Sequence, residues 1–214
     1  VAGRPIASGG KPWHSIRNLS GAPSVVSIHD EVGDFGVTAR DFIRDLAAIE
    51  GDIELHLSTP GGEVFDGLAI FSALKQRAGV VSVVVDSLAA SIASVIAMAA
   101  TAGRLSIMPN ASIMIHEASG FCAGTEQDMA AMARLLSGMS GNIASIYADR
   151  TGKPVDHWRA AMLAETWYIG QEAVDAGLAD SVAAVPRRVN NTFAWGPEHV
   201  AAFRKAMHGG SGGL

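Results

Sequence analysis

Val80-Val81-Ser82-Val83-Val84-Val85-Asp86-Ser87-Leu88-Ala89-Ala90-Ser91-Ile92-Ala93 passes from a β-branched run into an apolar, alanine-rich one. Val80–Val85 reads as a buried strand, Ser87–Ala90 as a turn, and Ser91–Ala102 as a helix apolar almost all round. The same unit precedes it. Ile53–Thr59 alternates apolar and polar residues as a strand does, Pro60-Gly61-Gly62 ends it, and Val64, Leu68, Phe71 and Leu74 mark an amphipathic helix to about Arg77. Repeated strand–helix units with β-branched runs imply a largely parallel α/β sheet with helices packed on it.

Outward from these units, Val25–His29 reads as a short strand, and Thr38 caps a helix running to about Ile49. Arg104–Met108 and Ser112–His116 are two more strands. A long helix runs from Thr125 to about Asp149, with a stripe that includes Met129, Met132, Leu135, Met139 and Ile143. That stripe suits core packing or an oligomer contact. Thr151-Gly152-Lys153-Pro154 ends it, a shorter helix carries Trp158 and Met162, and a helical turn at Glu172–Ala176 precedes a last strand near Leu178–Val185. Residues 1–23 read as a flexible arm, 24–186 as the folded domain, and 187–214 as an extension with one helix and a Gly-rich linker or tail.

The 214 residues are 49% hydrophobic and 17% charged, with a formal net charge of −5, which describes one well-packed or oligomeric domain. No basic run exceeds Arg187-Arg188, so nucleic acid is not an expected partner. The apolar run Leu88–Ala102, about 15 residues, is too short to span a membrane. Residues 1–23 lack the apolar core of a signal peptide. Cys122 is the single cysteine and reads as a buried, inert thiol. His56 and His157 are isolated and no HExxH spacing occurs, so neither a metal nor a cofactor is expected.

Three segments bear chemistry. Ser91 stands where strand meets helix, with free N–H groups at the helix start. Gly61-Gly62 offers backbone amides to a closely approaching ligand. His116 ends the strand Ile113-Met114-Ile115 and opens into Glu117 and a Gly-rich loop. A serine hydroxyl needs a base within hydrogen-bond reach and donors for the developing oxyanion. Each segment also has an ordinary reading: an N-cap, a tight turn, a core histidine.

Thr59-Pro60-Gly61-Gly62, Ser87-Leu88-Ala89-Ala90-Ser91 and Met114-Ile115-His116, in this order, resemble the signature segments of the ClpP family, the proteolytic subunits of Clp protease. Glu172–Asp180 resembles the family's closing helix and strand, and the likeness runs from about Val25 to Val185. It implies a crotonase-like spiral of ββα units with a long handle helix, a homo-oligomeric ring, and a protein or peptide substrate. By position it implies Ser91 as nucleophile, His116 as base and the Gly62 and Ile92 amides as oxyanion hole. An extended substrate would lie along Gly61 and the segment Glu117, Ala118, Ser119 and Gly120. The family's third catalytic residue, an aspartate, falls on Glu165. Asp34–Ala39 and Ala164–Tyr168 are closer to the ClpP-related proteases of tailed phages and prophages. These process capsid or scaffold proteins in head maturation, which implies a bacterial cytoplasmic or prohead location. The alternatives are an ATPase-coupled Clp subunit, a crotonase-like acyl-CoA enzyme, a Ser-Lys protease using Lys11, Lys75, Lys153 or Lys205, and an inactive structural ring protein.

Overall fold

The computed structural model describes residues 14–17, 22–33 and 38–184, all within one compact unit. The elements are β1 (His14–Arg17), β2 (Ser24–Ile28), α1 (Ala39–Ala47), β3 (Ile53–Thr59), α2 (Val64–Lys75), β4 (Val81–Ala90) and α3 (Ile92–Ala97). They continue with β5 (Leu105–Ile107), β6 (Ser112–Ile115), α4 (Glu126–Thr151), α5 (Val155–Leu163), β7 (Thr166–Ile169), α6 (Gln171–Ala176) and β8 (Ser181–Val182). One sheet runs β1-β2-β3-β4-β5-β8, parallel except for the β1–β2 pair.

β4 is where this sheet forks. Its first half, Val83–Val85, pairs in parallel with β5, and its last residues, Leu88–Ala90, pair in parallel with β6. β6 in turn pairs antiparallel with β7. Against β3 the register jumps between Leu57↔Val85 and Thr59↔Ala89. Two extra residues of β4 therefore bulge at Asp86–Leu88, which bends the strand and turns its end toward β6. The turn expected at Ser87–Ala90 is this bulge, and the strand continues through it to Ala90.

The strands alternate as half-buried strands should: Ile53, Leu55 and Leu57 of β3 are fully buried while Glu54, His56 and Ser58 lie on the more open face. Each such fully buried aliphatic side chain contributes ~1.5–3 kcal/mol. α2 packs on both α1 and α3, and α4 packs on α5. Thr38 caps α1 by accepting from Asp41 N, and Thr125 caps α4 in a reciprocal capping box with Asp128. Arg77 donates to the carbonyls of Leu46, Ile49 and Gly51, satisfying the C-terminal end of α1 and the turn after it.

Several expectations are corrected. Residues 14–17 of the supposed arm form β1. The helix expected to reach Ala102 stops at Ala97, where Met98, Ala99 and Ala100 close tighter turns onto Val95, Ile96 and Ala97. The segment after α5 carries an unexpected strand, β7, and the last strand is only Ser181–Val182. Cys122 is half-buried in a loop, not a core thiol. The stripe of α4 is split: of its members Ile143 is buried, beside Ser140, Ala144 and Tyr147, while Met129 and Leu135 are exposed. Residues 1–13, 18–21, 34–37 and 185–214, with the expected extension 187–214, lie outside the described residues.

Candidate active site

Ser91 follows the last residue of β4 and precedes α3, with φ 55° and ψ −129°. That conformation is strained for a side-chain-bearing residue, and such outliers gather at functional sites. Its amide donates to Met114 O at 3.0 Å, tying the turn to β6. Its hydroxyl caps nothing in α3. Instead it lies 2.7 Å from Nε2 of His116, the residue immediately after β6. The parallel pairing of Ala90 with Met114 puts the ends of β4 and β6 side by side and so brings the two together.

Gly61 and Gly62 are needed where they stand. Gly61 has φ 97°, and a Cβ there would lie 2.6 Å from Ala90 O and 2.8 Å from Ser91 Cβ. Gly62 has φ 145°, and a Cβ would meet Val32 O at 1.9 Å. A parallel bridge between Val32 and Gly62 locks the turn, with Val32 N donating to Gly61 O at 2.7 Å and Glu63 N to Val32 O at 2.8 Å. Thr59 stiffens it further, its hydroxyl donating to Asp30 O and accepting from Gly61 N. Among the described residues, the amides of Gly62 and Ile92 have no protein acceptor. Both residues line a small cavity of about 60 Å³ together with Ser91 and His116.

Glu117, Ala118 and Ser119 also line this cavity, whereas Gly61 backs Ser91 from behind and Gly120 lies against Met132 and Leu136 of α4. The loop is held at two points. Ala118 N donates to the buried Ser140 hydroxyl at 2.9 Å, and Glu117 pairs with Arg159 at 2.9 Å. Sequence reading missed the rest of the wall: Val64, Ile143 and Tyr147. Their signal was faint, since each sits on a helix stripe indistinguishable from core packing.

Glu165 stands between α5 and β7. Ile115 pairs with Thr166 in the antiparallel β6–β7 ladder, so continuing that register by one residue sets His116 opposite Glu165. Glu165 has φ 48°, and its amide donates to Met162 O, which makes it the residue just past the end of a helix, where glycine is usual. Its Oε1 accepts from Trp167 Nε1 at 3.3 Å.

The Clp protease family matches residues 18–186 of this chain. The chain belongs to the Clp protease family. Its curated relatives include the ATP-dependent Clp protease proteolytic subunit 1 of Leifsonia xyli subsp. xyli, 33% identical over 131 residues, 61% of this chain and 66% of the relative. The ATP-dependent Clp protease proteolytic subunit of Streptococcus salivarius is 36% identical over 135 residues, 62% of this chain and 69% of the relative. That of Bacteroides fragilis is 31% identical over 131 residues, 61% and 63%. The chain thus spans about two thirds of the length of these relatives. Membership in this peptidase family accords with the mixed α/β fold, whose forked β4 carries Ser91 at its tip. Among the described residues no lysine lines the Ser91 cavity, no group of three or more His, Cys, Asp or Glu is placed to hold a metal, and no helix is long and apolar enough to cross a membrane.

Proposed function

We propose that the chain is a serine endopeptidase with Ser91 as nucleophile. The observation that carries this is the 2.7 Å contact between Ser91 Oγ and His116 Nε2, made at a strained turn beside two open amides. With Nε2 unprotonated, His116 accepts the Ser91 proton as Oγ attacks the substrate carbonyl. The tetrahedral oxyanion sits between the Gly62 and Ile92 amides, one such donor being worth ~10²–10³ in turnover. The imidazolium then passes its proton to the leaving amine, and an acyl-enzyme forms on Ser91. Water, deprotonated by His116, releases the second product. Glu165 accepts from Nδ1–H of His116 and sets its tautomer. Its place opposite His116 in the β6–β7 register supports this role. Substrate lies extended along Glu117, Ala118 and Ser119, held by backbone hydrogen bonds.

Its substrates are the capsid or scaffold proteins of a tailed phage, cut during head maturation in the bacterial cytoplasm or inside the prohead. The likeness of Asp34–Ala39 and Ala164–Tyr168 to the phage-encoded proteases supports this. The chain works as a homo-oligomeric ring, for which the exposed Met129 and Leu135 on α4 speak. A second reading, coupling to an ATPase, is favoured by the ATP-dependent relatives. The test is incubation of wild type and Ser91→Ala with the neighbouring capsid or scaffold protein, cut sites being read by mass spectrometry beside fluorophosphonate labelling. Discrete cuts and labelling confined to wild type are expected. Equal cutting by Ser91→Ala overturns the nucleophile assignment, and neither cuts nor labelling in wild type supports an inactive ring protein. Co-purification with an ATPase, without capsid cleavage, favours the second reading.

A further inference from the structure

The Ser91–Ile92 peptide unit has two faces. Its N–H edge belongs to Ile92, lines the cavity and has no acceptor among the described residues. Its C=O edge, on Ser91, receives two donors: the Ser94 amide at 3.0 Å and the Ser94 hydroxyl in a short hydrogen bond. A trans peptide is planar, so holding the carbonyl fixes the opposite direction of the N–H.

Ser94 is itself held. Its hydroxyl has one proton, given to Ser91 O, so toward its other neighbour it is an acceptor. That neighbour is the Tyr147 hydroxyl at 2.7 Å. Tyr147 belongs to α4, 53 residues further along the chain, and is 1% exposed, while Ser94 is fully buried. Burial pushes the Tyr147 phenol far above its ordinary range, with the Ser94 bond offsetting only part of the rise, so it stays a neutral donor. The direction of the relay is therefore set: Tyr147 O–H to Ser94 Oγ, Ser94 O–H to Ser91 O.

Stability alone does not account for the pair. Replacing both partners of a buried neutral hydrogen bond with apolar groups of the same shape can be nearly neutral, so the pair need not be there for stability. The relay does what packing does not. Ser91 is strained, and rotation about its ψ with a matching change at Ile92 would turn the N–H away from the cavity. Two donors on the carbonyl oppose that rotation. They also polarise the peptide and strengthen its N–H as a donor.

We propose that Tyr147 is a positioning residue for the oxyanion site, acting through Ser94 to hold the Ser91–Ile92 peptide with the Ile92 N–H aimed into the cavity. This rests on the serine-peptidase reading above. It makes α4, and not only the β4 turn, part of the apparatus that shapes the transition-state site.

The test uses the full chain as wild type, Tyr147→Phe, Ser94→Ala and the double variant. Five quantities are read: kcat and KM on a fluorogenic peptide, the inhibition constant of a peptide aldehyde whose adduct places its oxygen in the oxyanion site, the fluorophosphonate labelling rate, and the thermal midpoint. Tyr147→Phe is expected to lower kcat about 10-fold, short of the ~10²–10³ for outright loss of a donor. KM should stay within about twofold, and aldehyde affinity should weaken by the same factor as kcat/KM. Tyr147 also lines the cavity, so the double variant separates the two routes: action through Ser94 makes it no slower than Ser94→Ala. A Tyr147→Phe enzyme that melts earlier but keeps its kcat and aldehyde affinity overturns the proposal, as do effects of the two substitutions that simply multiply. A wild type that neither labels nor hydrolyses overturns the peptidase reading and the relay with it; a labelled, active wild type with an indifferent Tyr147→Phe overturns the relay alone.

Discussion

Glu165 occupies a position that helix-end geometry reserves for glycine, and this yields a stability prediction with an unusual sign. A side-chain-bearing residue at φ 48° costs ~1–2 kcal/mol relative to ordinary backbone. Glu165→Ala and Glu165→Gly remove the same carboxylate and the same bond to Trp167, so their difference isolates the backbone. Glycine escapes the strain but carries extra unfolded-chain entropy of ~0.4–1 kcal/mol. The balance favours Gly over Ala by about 1 kcal/mol, or about 2–4 °C in thermal midpoint for a chain of this size. Denaturant unfolding at fixed protein concentration measures it. Both variants should lose about 10⁴-fold in kcat, the scale seen when the orienting carboxylate of a Ser-His-Asp triad is replaced, while Glu165→Asp keeps more. An Ala variant as stable as the Gly variant refutes the strain argument. Full activity in both refutes Glu165 as the carboxylate that orients His116.

Two further outcomes follow from packing and charge. A Cβ on Gly67 would lie 2.1 Å from Ile92 Cγ1, so Gly67→Ala should destabilise by ~1–3 kcal/mol and lower kcat by displacing Ile92; in an Ile92→Ala background the stability cost should shrink by at least half, and an equal cost in both backgrounds would refute the clash. Burial pushes the His56 imidazolium down, but hydrogen bonds to Asp86 and Glu54 outweigh it and raise its pKa above the usual histidine value. Its stabilisation is therefore full below the unfolded pKa of about 6.5 and lost as pH rises through the higher folded value. His29 also faces Asp86, at 3.7 Å. With His29→Gln in both proteins, the thermal advantage over His56→Gln should fall as pH rises past about 6.5, and a constant advantage counts against it.

Period and punctuation made much of the fold legible. Ile53–Thr59 alternates and stops at Pro60, and the strand found there has the same limits. Thr125 and Gly152 bracket α4 as capping chemistry requires. What escaped were features made by tertiary pairing. β4 passes through Asp86–Leu88 without ending because β6 receives its far half, and nothing local to Ser87 announces that partner. β7 follows α5 with no glycine between them because Glu165 itself takes the left-handed turn. At the site, Ser91, His116 and the glycine pair stood out because their chemistry is written in short segments. Ser94 and Tyr147 did not, although a hydroxyl three residues beyond Ser91 on an otherwise apolar helix was a usable clue.

α4 is a lever. Its 26 residues make a rod about 39 Å long, and its buried residues, Ser140, Ile143, Ala144 and Tyr147, all lie in the second half. The stretch 126–139 is about 20 Å long and mostly exposed, with Met132 and Leu136 against the Gly120 loop and Arg159 donating to Ser137 O, and a tilt of about 5° at Ser140 moves its far end by about 2 Å. The fulcrum is not inert. Ser140 grips the loop beside His116 through Ala118 N, and Tyr147, two turns on, grips the peptide behind Ser91 through Ser94. One helix thus reaches both sides of one small cavity, and whatever seats on its mostly exposed first half is joined to both through a single rod.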